Sequence, residues 1–546
     1  MYWNTKKMKR QKMQAQFGKN PLEEPQAEWT LRRMDKIKLF HDEVVTKKGE
    51  LGVRYQDNDC LVDDITWEDL EMDDIFVRVN CTRSFMGEQL LYHRLRNLEQ
   101  NGENLELEGQ IAYLTEKEET RIDIEEKLAA IGKKEEDYFL PSFLMHAESL
   151  RIEKGFILHL LQILLLVFLL GSILWEHPLC ELGLLVVAIT NLMLYLYMKQ
   201  RYEVYLFSLG SLKELLRFCR WMLADETRSA LFATDEVKEA VKELKKLSKM
   251  VGSFQERKYA SMSGDLMYLL RDYLMGITLL DVATFNHIMK LIEHKQDKVL
   301  LLYEFAGKID MAISIASFRM SLDTWCVPTM KKETDGAICG QAIAHPLLTR
   351  SVANDFVLKN RAMITGANAS GKSTFMKAVA VNVILAQTIH TCAAKEFELP
   401  KLAVMTSMSL RDDILAGESY YVRETRYLKR MLDVAGKMPT LFVIDEILKG
   451  TNTKERLAAS AAILDYLAQT DNYVLIATHD MELVWDMQKK YAQFYFESQM
   501  IEDDISFDYR IHEGIGGNSN AIALLSLLHF PKEIIEMAKR NLTKNR

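Results

Sequence analysis

Two unbroken apolar runs stand out from an otherwise amphipathic chain. From Phe156 to Trp175 the sequence reads FILHLLQILLLVFLLGSILW, with His159 and Gln162 as its only strongly polar members. That matches the roughly 20 apolar residues a helix needs to cross a bilayer. After Glu176-His177-Pro178, the run LGLLVVAITNLMLYLYM from Leu182 to Met198 contains no ionised side chain. A soluble core helix normally keeps a polar stripe, and neither run has one. The pair predicts a transmembrane helical hairpin over residues 156–198. Arg151 and Lys154 precede it and Lys199 and Arg201 follow it, whereas the turn holds Glu176 and Glu181 and no cation. The positive-inside bias then places both ends, and everything outside the hairpin, in the cytoplasm of a multi-pass cell-membrane protein. His159, Gln162 and Asn191 are expected to hydrogen-bond one helix to its neighbour.

On either side of the hairpin, residues 66–325 are poor in Gly and Pro. Apolar positions there recur at helical spacing, as in Leu212, Leu215, Leu216, Cys219 and in Val237, Val241, Leu244, Leu247. This predicts a mostly α-helical core. Lys242, Lys245, Lys246 and Lys249 share one such helix and read as a solvated face. Residues 1–65 read as an N-terminal extension. Its start carries Lys6, Lys7, Lys9, Arg10 and Lys12 without an apolar core, which excludes a secretory signal and predicts a flexible basic tail. From Cys326 to Arg546 the texture changes. Short β-rich runs at 356–358, 362–365, 440–444 and 473–477 alternate with helical stretches, the pattern of an α/β domain with a largely parallel sheet.

Composition adds constraints. A chain of 546 residues with 48% hydrophobic side chains can fill two or three packed domains, which excludes disorder as a whole. The net charge of -8 offers no global basic field, so any nucleic-acid contact has to be a local patch. Seven Cys without a CxxC pair speak against a zinc or redox motif and fit a reducing compartment.

The chemistry concentrates in RAMITGANASGKST. A strand-like run ends in Gly366 and leads through Gly371-Lys372-Ser373 into a helix-forming stretch, matching GxxxxGK[ST]. Gly366 and Gly371 let successive N–H groups face phosphate oxygens at a helix N-terminus. Lys372 is placed to neutralise the β and γ phosphates, and Ser373 to ligate Mg²⁺. Further on, LFVIDEILKG forms a buried strand ending in Asp445, the second metal anchor, and Glu446, the group that orients or deprotonates the attacking water. A third strand, Tyr473 to Ala477, ends at His479, which reads as a γ-phosphate sensor.

These motifs, taken in order, resemble the MutS family of DNA mismatch repair ATPases. The resemblance runs through AHPLL at 344–348, VAND at 352–355, GANASGKST at 366–374, GESYYVRE at 417–424, FVIDEILKGTNT at 442–453, ATHDMEL at 477–483 and FDYRIHEGIGGNSNAI at 507–522. Upstream, VNCTRSFMGEQLLYHRLRNL at 79–98 and IDMAISIASFR at 309–319 resemble the family's helical core. The resemblance implies a P-loop ATPase domain of the ABC type behind a helical core or lever, with ATP and Mg²⁺ as cofactors. It also implies a homodimer in which Ser419 of one subunit reaches the partner's nucleotide. Asn368 and Thr374 join Gly366, Gly371, Lys372 and Ser373 in the nucleotide loop. Ala367 stands in place of the family's usual Pro, and Ser351 in place of an aromatic that stacks on adenine, so base binding shifts to Tyr509. About 65 residues precede the core-like region, so the mismatch-reading and connector domains are expected to be missing. Phe254-Gln255-Glu256 matches the family's mispair-reading pattern by chance and is assigned no role. Two functions follow: a membrane-anchored ATPase associated with duplex DNA without reading mispairs, or an ATP-driven switch acting on a membrane partner or the bilayer.

Overall fold

The computed structural model describes residues 2–544 except 51–61, 99–103, 147, 149–151, 153–154, 176, 204–205, 262–265, 332–335, 409–419, 502–503 and 517–529. The first half is helical. Its organising pair is α1 (Phe85–Arg96) and a long helix that reaches it from far along the chain. Between them come the hairpin helices α2 (Phe156–Trp175) and α3 (Pro178–Glu203), followed by α4 (Leu266–Ile277) and α5 (Leu280–Glu293). The long helix itself is α6 (Gln296–Met320).

A buried acid fixes how α1 meets α6. Ser84 caps α1 by accepting from the Gly87 N–H, and its own hydroxyl donates to Asp310 Oδ2 at 2.6 Å. Asp310 also accepts the backbone N–H groups of Arg83 and Ser84, so its carboxylate satisfies donors that α1 cannot bond internally. Gly87 makes this approach possible, because a Cβ there would lie 2.4 Å from Asp310 Oδ2. On the other side of α1, fully buried Glu88 accepts from Lys133 at 2.6 Å, Asn80 at 2.9 Å and the Tyr138 hydroxyl.

The N-terminal extension departs from the flexible tail expected of its basic residues. Tyr2–Gln16 and Met34–Glu50 are helical. Arg10 pairs with Asp123 at 2.6 Å and Glu119 at 2.8 Å, while Met34, Ile37 and Phe40 enter the core. Arg10 meets an acidic helix face, and Met34, Ile37 and Phe40 share one stripe.

Helices α2 and α3 are both long and apolar enough to cross a membrane, and most of their side chains point outward. The second is longer than the 182–198 run because Pro178 starts it, a position where a missing N–H costs nothing. The two helices approach closely at Gly171, where a Cβ would meet Cys180 Sγ at 3.0 Å, and at Gly183 under the Phe168 ring. Gln162 and Asn191 do not link the two helices to each other. Their amides bond to the end of α4 instead.

The second half holds two sheets. Strands β1 (Thr329–Lys331), β2 (Ile338–Ile343), β3 (Asn354–Leu358) and β5 (Glu396–Pro400) form a four-stranded sheet in the order β1-β5-β2-β3. The run at 356–358 thus belongs to this smaller sheet and not to the main one. The main sheet contains β4 (Arg361–Gly366), β6 (Ala403–Ser407), β7 (Thr440–Asp445), β8 (Tyr473–Ala477), β9 (Ala492–Ile501) and β10 (Asp504–Glu513), in the order β10-β9-β4-β8-β7-β6. All its neighbours are parallel except the β9–β10 pair. Strands β4, β7 and β8 are buried almost end to end, as apolar runs covered on both faces require. Helix α7 (Lys372–Thr388) follows β4, α8 (Tyr420–Val434) precedes β7, and α9 (Thr453–Leu467) follows it.

Charged bonds weld the two halves. Arg94 of α1 donates to the Thr388 carbonyl at the end of α7 at 2.6 Å, and Arg78 donates to the Pro346 carbonyl at 3.1 Å. Arg319 near the end of α6 bonds Thr391 Oγ1 at 2.8 Å, the His390 carbonyl at 2.9 Å and Glu108. Asp69 accepts from Thr406 Oγ1 at 2.7 Å at the edge of β6.

Replacing Gly87 with Ala drives a methyl group into Asp310 and is expected to cost about 1–3 kcal/mol, the usual range for overpacking. Gly109→Ala, where a Cβ meets nothing within 4 Å on an exposed helix face, is expected to be neutral or to gain up to about 1 kcal/mol from helix propensity. Thermal unfolding followed by circular dichroism separates the two, with a lower midpoint for Gly87→Ala alone.

Candidate functional site

Three parallel strands deliver the site. Strand β8 lies between β4 and β7, and its Ala477 sits opposite Ile364 on one side and Asp445 on the other. The carboxyl ends of all three therefore open on one edge, where ligands bind in sheets of this kind. A cavity of about 430 Å³ lies there.

Beyond β4 the chain turns through a loop that only glycines can form at its two ends. Gly366 has φ +144°, and a Cβ on it would lie 2.9 Å from the Phe496 carbonyl. Gly371, with φ +101°, is the N-cap of α7. Asn368, Gly371, Ser373 and Thr374 line the cavity together with Lys372. The Lys372 ammonium donates to the carbonyls of Gly366 and Ala367, both at 2.8 Å, so it folds back over its own loop. Burial lowers its pKa, against the pull of Asp445 and Glu446. Among the described residues, the buried Ser370 hydroxyl in the same loop has no hydrogen-bond partner.

The facing wall comes from β7 and β8. Ser373 donates to Asp445 Oδ2 at 2.6 Å, bringing a hydroxyl and a carboxylate to one point. Glu446 follows in a left-handed conformation, φ +64°, with its N–H bonded to the Ala477 carbonyl. For a non-glycine residue that backbone costs of order 1 kcal/mol, and here it turns the side chain out of the strand line toward β8. Glu446 Oε1 lies 3.0 Å from His479 Nε2, and Glu446 Oε2 lies 3.4 Å from Lys449 Nζ. Burial first, and the Lys372 charge second, lower the His479 pKa, so its imidazole is neutral near pH 7.

Several residues that the motifs do not explain support this geometry. Glu424, which closes GESYYVRE, is buried beneath the loop after Glu446, where it accepts the Lys449 N–H at 3.0 Å. Arg456 of α9 holds Asp480, next to His479, at 2.7 Å. Asn354, in VAND, donates to the Tyr509 carbonyl at 3.1 Å and accepts the Ile511 N–H at 2.9 Å, pinning an irregular stretch of β10. The Tyr509 ring thereby reaches the loop, with Cδ1 3.1 Å from where a Gly371 Cβ would be. Ser351 and Arg350 line the same end of the cavity. None of these bonds is visible in residue spacing, because each joins distant segments. Ser419 lies outside the described residues.

A helix N-terminus behind a glycine loop, beside a cation, receives an anion. A hydroxyl paired with a carboxylate offers hard oxygen donors of the kind Mg²⁺ takes. A carboxylate touching a neutral imidazole can hold a water and accept its proton.

A family model described as MutS domain V matches residues 362–545. The chain is 27% identical over 278 residues to DNA mismatch repair protein MutS 2 of Haloarcula marismortui, covering 45% of this chain and 29% of that protein. It is 30% identical over 275 residues to DNA mismatch repair protein MutS of Listeria monocytogenes serotype 4b, covering 48% and 31% respectively. With DNA mismatch repair protein MutS of Pseudothermotoga lettingae it shares 29% identity over 267 residues, covering 47% and 32%. The chain thus spans about a third of the length of these curated relatives.

The site makes a titration test possible. Removing the Lys372 charge in Lys372→Met is expected to raise the His479 pKa, and Glu446→Gln to lower it further. Because the folded value lies below the ordinary one of about 6.5, His479 withdraws stability as pH falls beneath that value. Histidine-selective NMR titration reads both shifts, and movement in the opposite sense would contradict the arrangement.

Proposed function

We propose, from the premise that this chain is MutS-like in its α/β half, that it is a membrane-anchored ATPase. It binds and hydrolyses ATP with Mg²⁺ in a composite site completed by a second copy. The observation that carries this reading is the convergence of Lys372, the Ser373–Asp445 pair and the Glu446–His479 pair on one cavity at the carboxyl edge of the sheet.

The residues fit the group they would hold. The Ser370 hydroxyl, unpartnered among the described residues, the N-terminus of α7 and the Lys372 ammonium, now bonded to its own loop's carbonyls, are the donors a triphosphate needs. Ser373 and Asp445 would hold Mg²⁺, exchanging their mutual hydrogen bond for metal coordination. Bound there, the ion would neutralise charge gathering on the phosphate oxygens. Gly366, Asn368, Gly371 and Thr374 shape the loop around the phosphates. Glu446 accepts the proton of the attacking water, and His479 holds Glu446 in place while facing the γ-phosphate position. Tyr509 covers the base, taking over from Ser351, which is too small to stack. Ser419 from the partner subunit reaches the γ-phosphate across the dimer.

The hairpin of α2 and α3 anchors this ATPase to the cell membrane, with both halves of the chain on the cytoplasmic side. Support comes from their length, their composition and the outward apolar side chains along both helices. Similarity to DNA mismatch repair proteins makes duplex DNA the partner, held through phosphate contacts alone. Phe254 supports the absence of mispair reading, because its ring is fully buried 6.4 Å from Phe285. A second reading, a switch that acts on the bilayer or a membrane partner without DNA, draws on the short link from α5 to α6 and the Arg319 bonds that join α6 to the α/β half.

Glu446→Gln is expected to keep nucleotide binding and lose turnover by about 100-fold or more, the scale of a lost general base. Lys372→Ala weakens binding itself. Equilibrium binding of ATP beside steady-state hydrolysis distinguishes them, and unchanged turnover in Glu446→Gln removes its catalytic role.

Homoduplex and single-mismatch duplex are expected to bind alike, within about 1 kcal/mol, and to release steeply as salt rises. Fluorescence anisotropy on both duplexes tests this. A larger preference for the mismatch would demand a reader, and no binding at low salt would favour the switch.

A further inference from the structure

Two amides inside the apolar hairpin do not face one another. Gln162 of α2 donates to the Thr278 carbonyl at 3.0 Å, and Asn191 of α3 donates to the Ile277 carbonyl at 2.8 Å. Those carbonyls close the end of α4, where a helix has no internal donors left. Their depth can be read from the hairpin itself. At about 1.5 Å per residue, Gln162 lies about 9 Å beyond the start of α2 at Phe156, and Asn191 about 12 Å before Lys199, where the apolar stretch of α3 ends. The end of α4 therefore sits well below the cytoplasmic feet of the hairpin. The return path agrees. Asn286 of α5 accepts the N–H of Ile152, back at the foot of α2, at 2.8 Å. Gly276 lets α4 lie directly on α3, since a Cβ there would come within 2.4 Å of the Tyr195 ring.

The corner is built as a lipid environment demands. Thr278 and Thr284 turn their hydroxyls back onto the carbonyls of Leu274 and Leu280, and the N–H groups of Thr278 and Leu279 bond to the carbonyls of Leu274 and Gly276. Asp281, the one carboxylate between Tyr273 and Asn286, is turned into the protein at 3% exposure, in the first turn of α5. The outward side chains are apolar or aromatic: Tyr273, Leu274 and Leu280 are 49%, 62% and 48% exposed. Exposed polar side chains return along α5 at His287, about 10 Å from Leu280, and permanent charge at Lys290, about 15 Å from it.

We propose that the α4–α5 corner is a re-entrant element lying in the acyl layer of the cytoplasmic leaflet beside the hairpin, with lipid chains as the partner of Tyr273, Leu274 and Leu280. This rests on the reading that α2 and α3 span the bilayer. It adds to that reading a third element embedded from one side only.

The test uses the full chain in its native membrane. A photoreactive phenylalanine analogue is placed singly at Leu280, Leu274, Lys290 and, as the hairpin control, Leu166. After irradiation, lipid adducts are measured by mass spectrometry. The expected result is adducts at Leu280 and Leu274 at yields comparable to Leu166, with none at Lys290. Adducts at Leu166 alone would overturn the corner's insertion and leave the hairpin standing. Absence of adducts at Leu166 as well would overturn both.

Discussion

Parallel pairing of β4, β8 and β7 is the constraint on which the site depends. In this register, with Asp445 beside Ala477 and Ala477 beside Ile364, the glycine loop, the Asp445 carboxylate and the histidine meet at one edge without any of them being close in sequence. A slip of one residue in β7 would turn Asp445 to the opposite face and break its bond to Ser373. Full burial of the three strands guards against that slip, since each shift would also carry a polar strand end into the core.

The same edge is coupled mechanically to the helical half. Helix α7 starts at the loop and ends at Thr388, where Arg94 caps its carbonyl end, a favourable place for a cation on a helix. Arg319 carries α6 onto the next turn of chain at His390 and Thr391. Buried arginines of this kind are costly unless every N–H finds an acceptor, and such junctions serve position more than net stability. His294 and Lys295 alone separate α5 from α6, so the chain that bonds to Gln162 and Asn191 runs through a short link into the helix that Arg319 ties to the α/β half.

Much of this was legible in the sequence, for a physical reason. Strands buried on both faces are written as unbroken apolar runs, so β4, β7 and β8 and the motifs at their ends could be placed directly. Of the small-sheet strands only the run at 356–358 in β3 stood out, because β1 is too short and β2 too mixed to carry a pattern. The N-terminal helices were hidden by their low apolar content. The second is held by Met34, Ile37 and Phe40 in the core, and the first is tied by Arg10 to Asp123, over a hundred residues away. Glu424 stands in a recognisable motif, yet its work of fixing the loop after Glu446 depends on a backbone that only the fold supplies. Gln162 and Asn191 were visible as polar residues in apolar helices, but nothing in spacing showed that a third element comes down to meet them.

The central claim is that one chain joins an ATP-hydrolysing edge to a membrane-embedded helical body. It is tested most directly by reconstituting the full chain in lipid vesicles and measuring ATP turnover with Mg²⁺ present or chelated, and with duplex DNA present or absent. The account predicts turnover that stays with the vesicles, stops on chelation and responds to duplex DNA. Failure to hydrolyse ATP under any of these conditions, or turnover that separates from the vesicles, would contradict it.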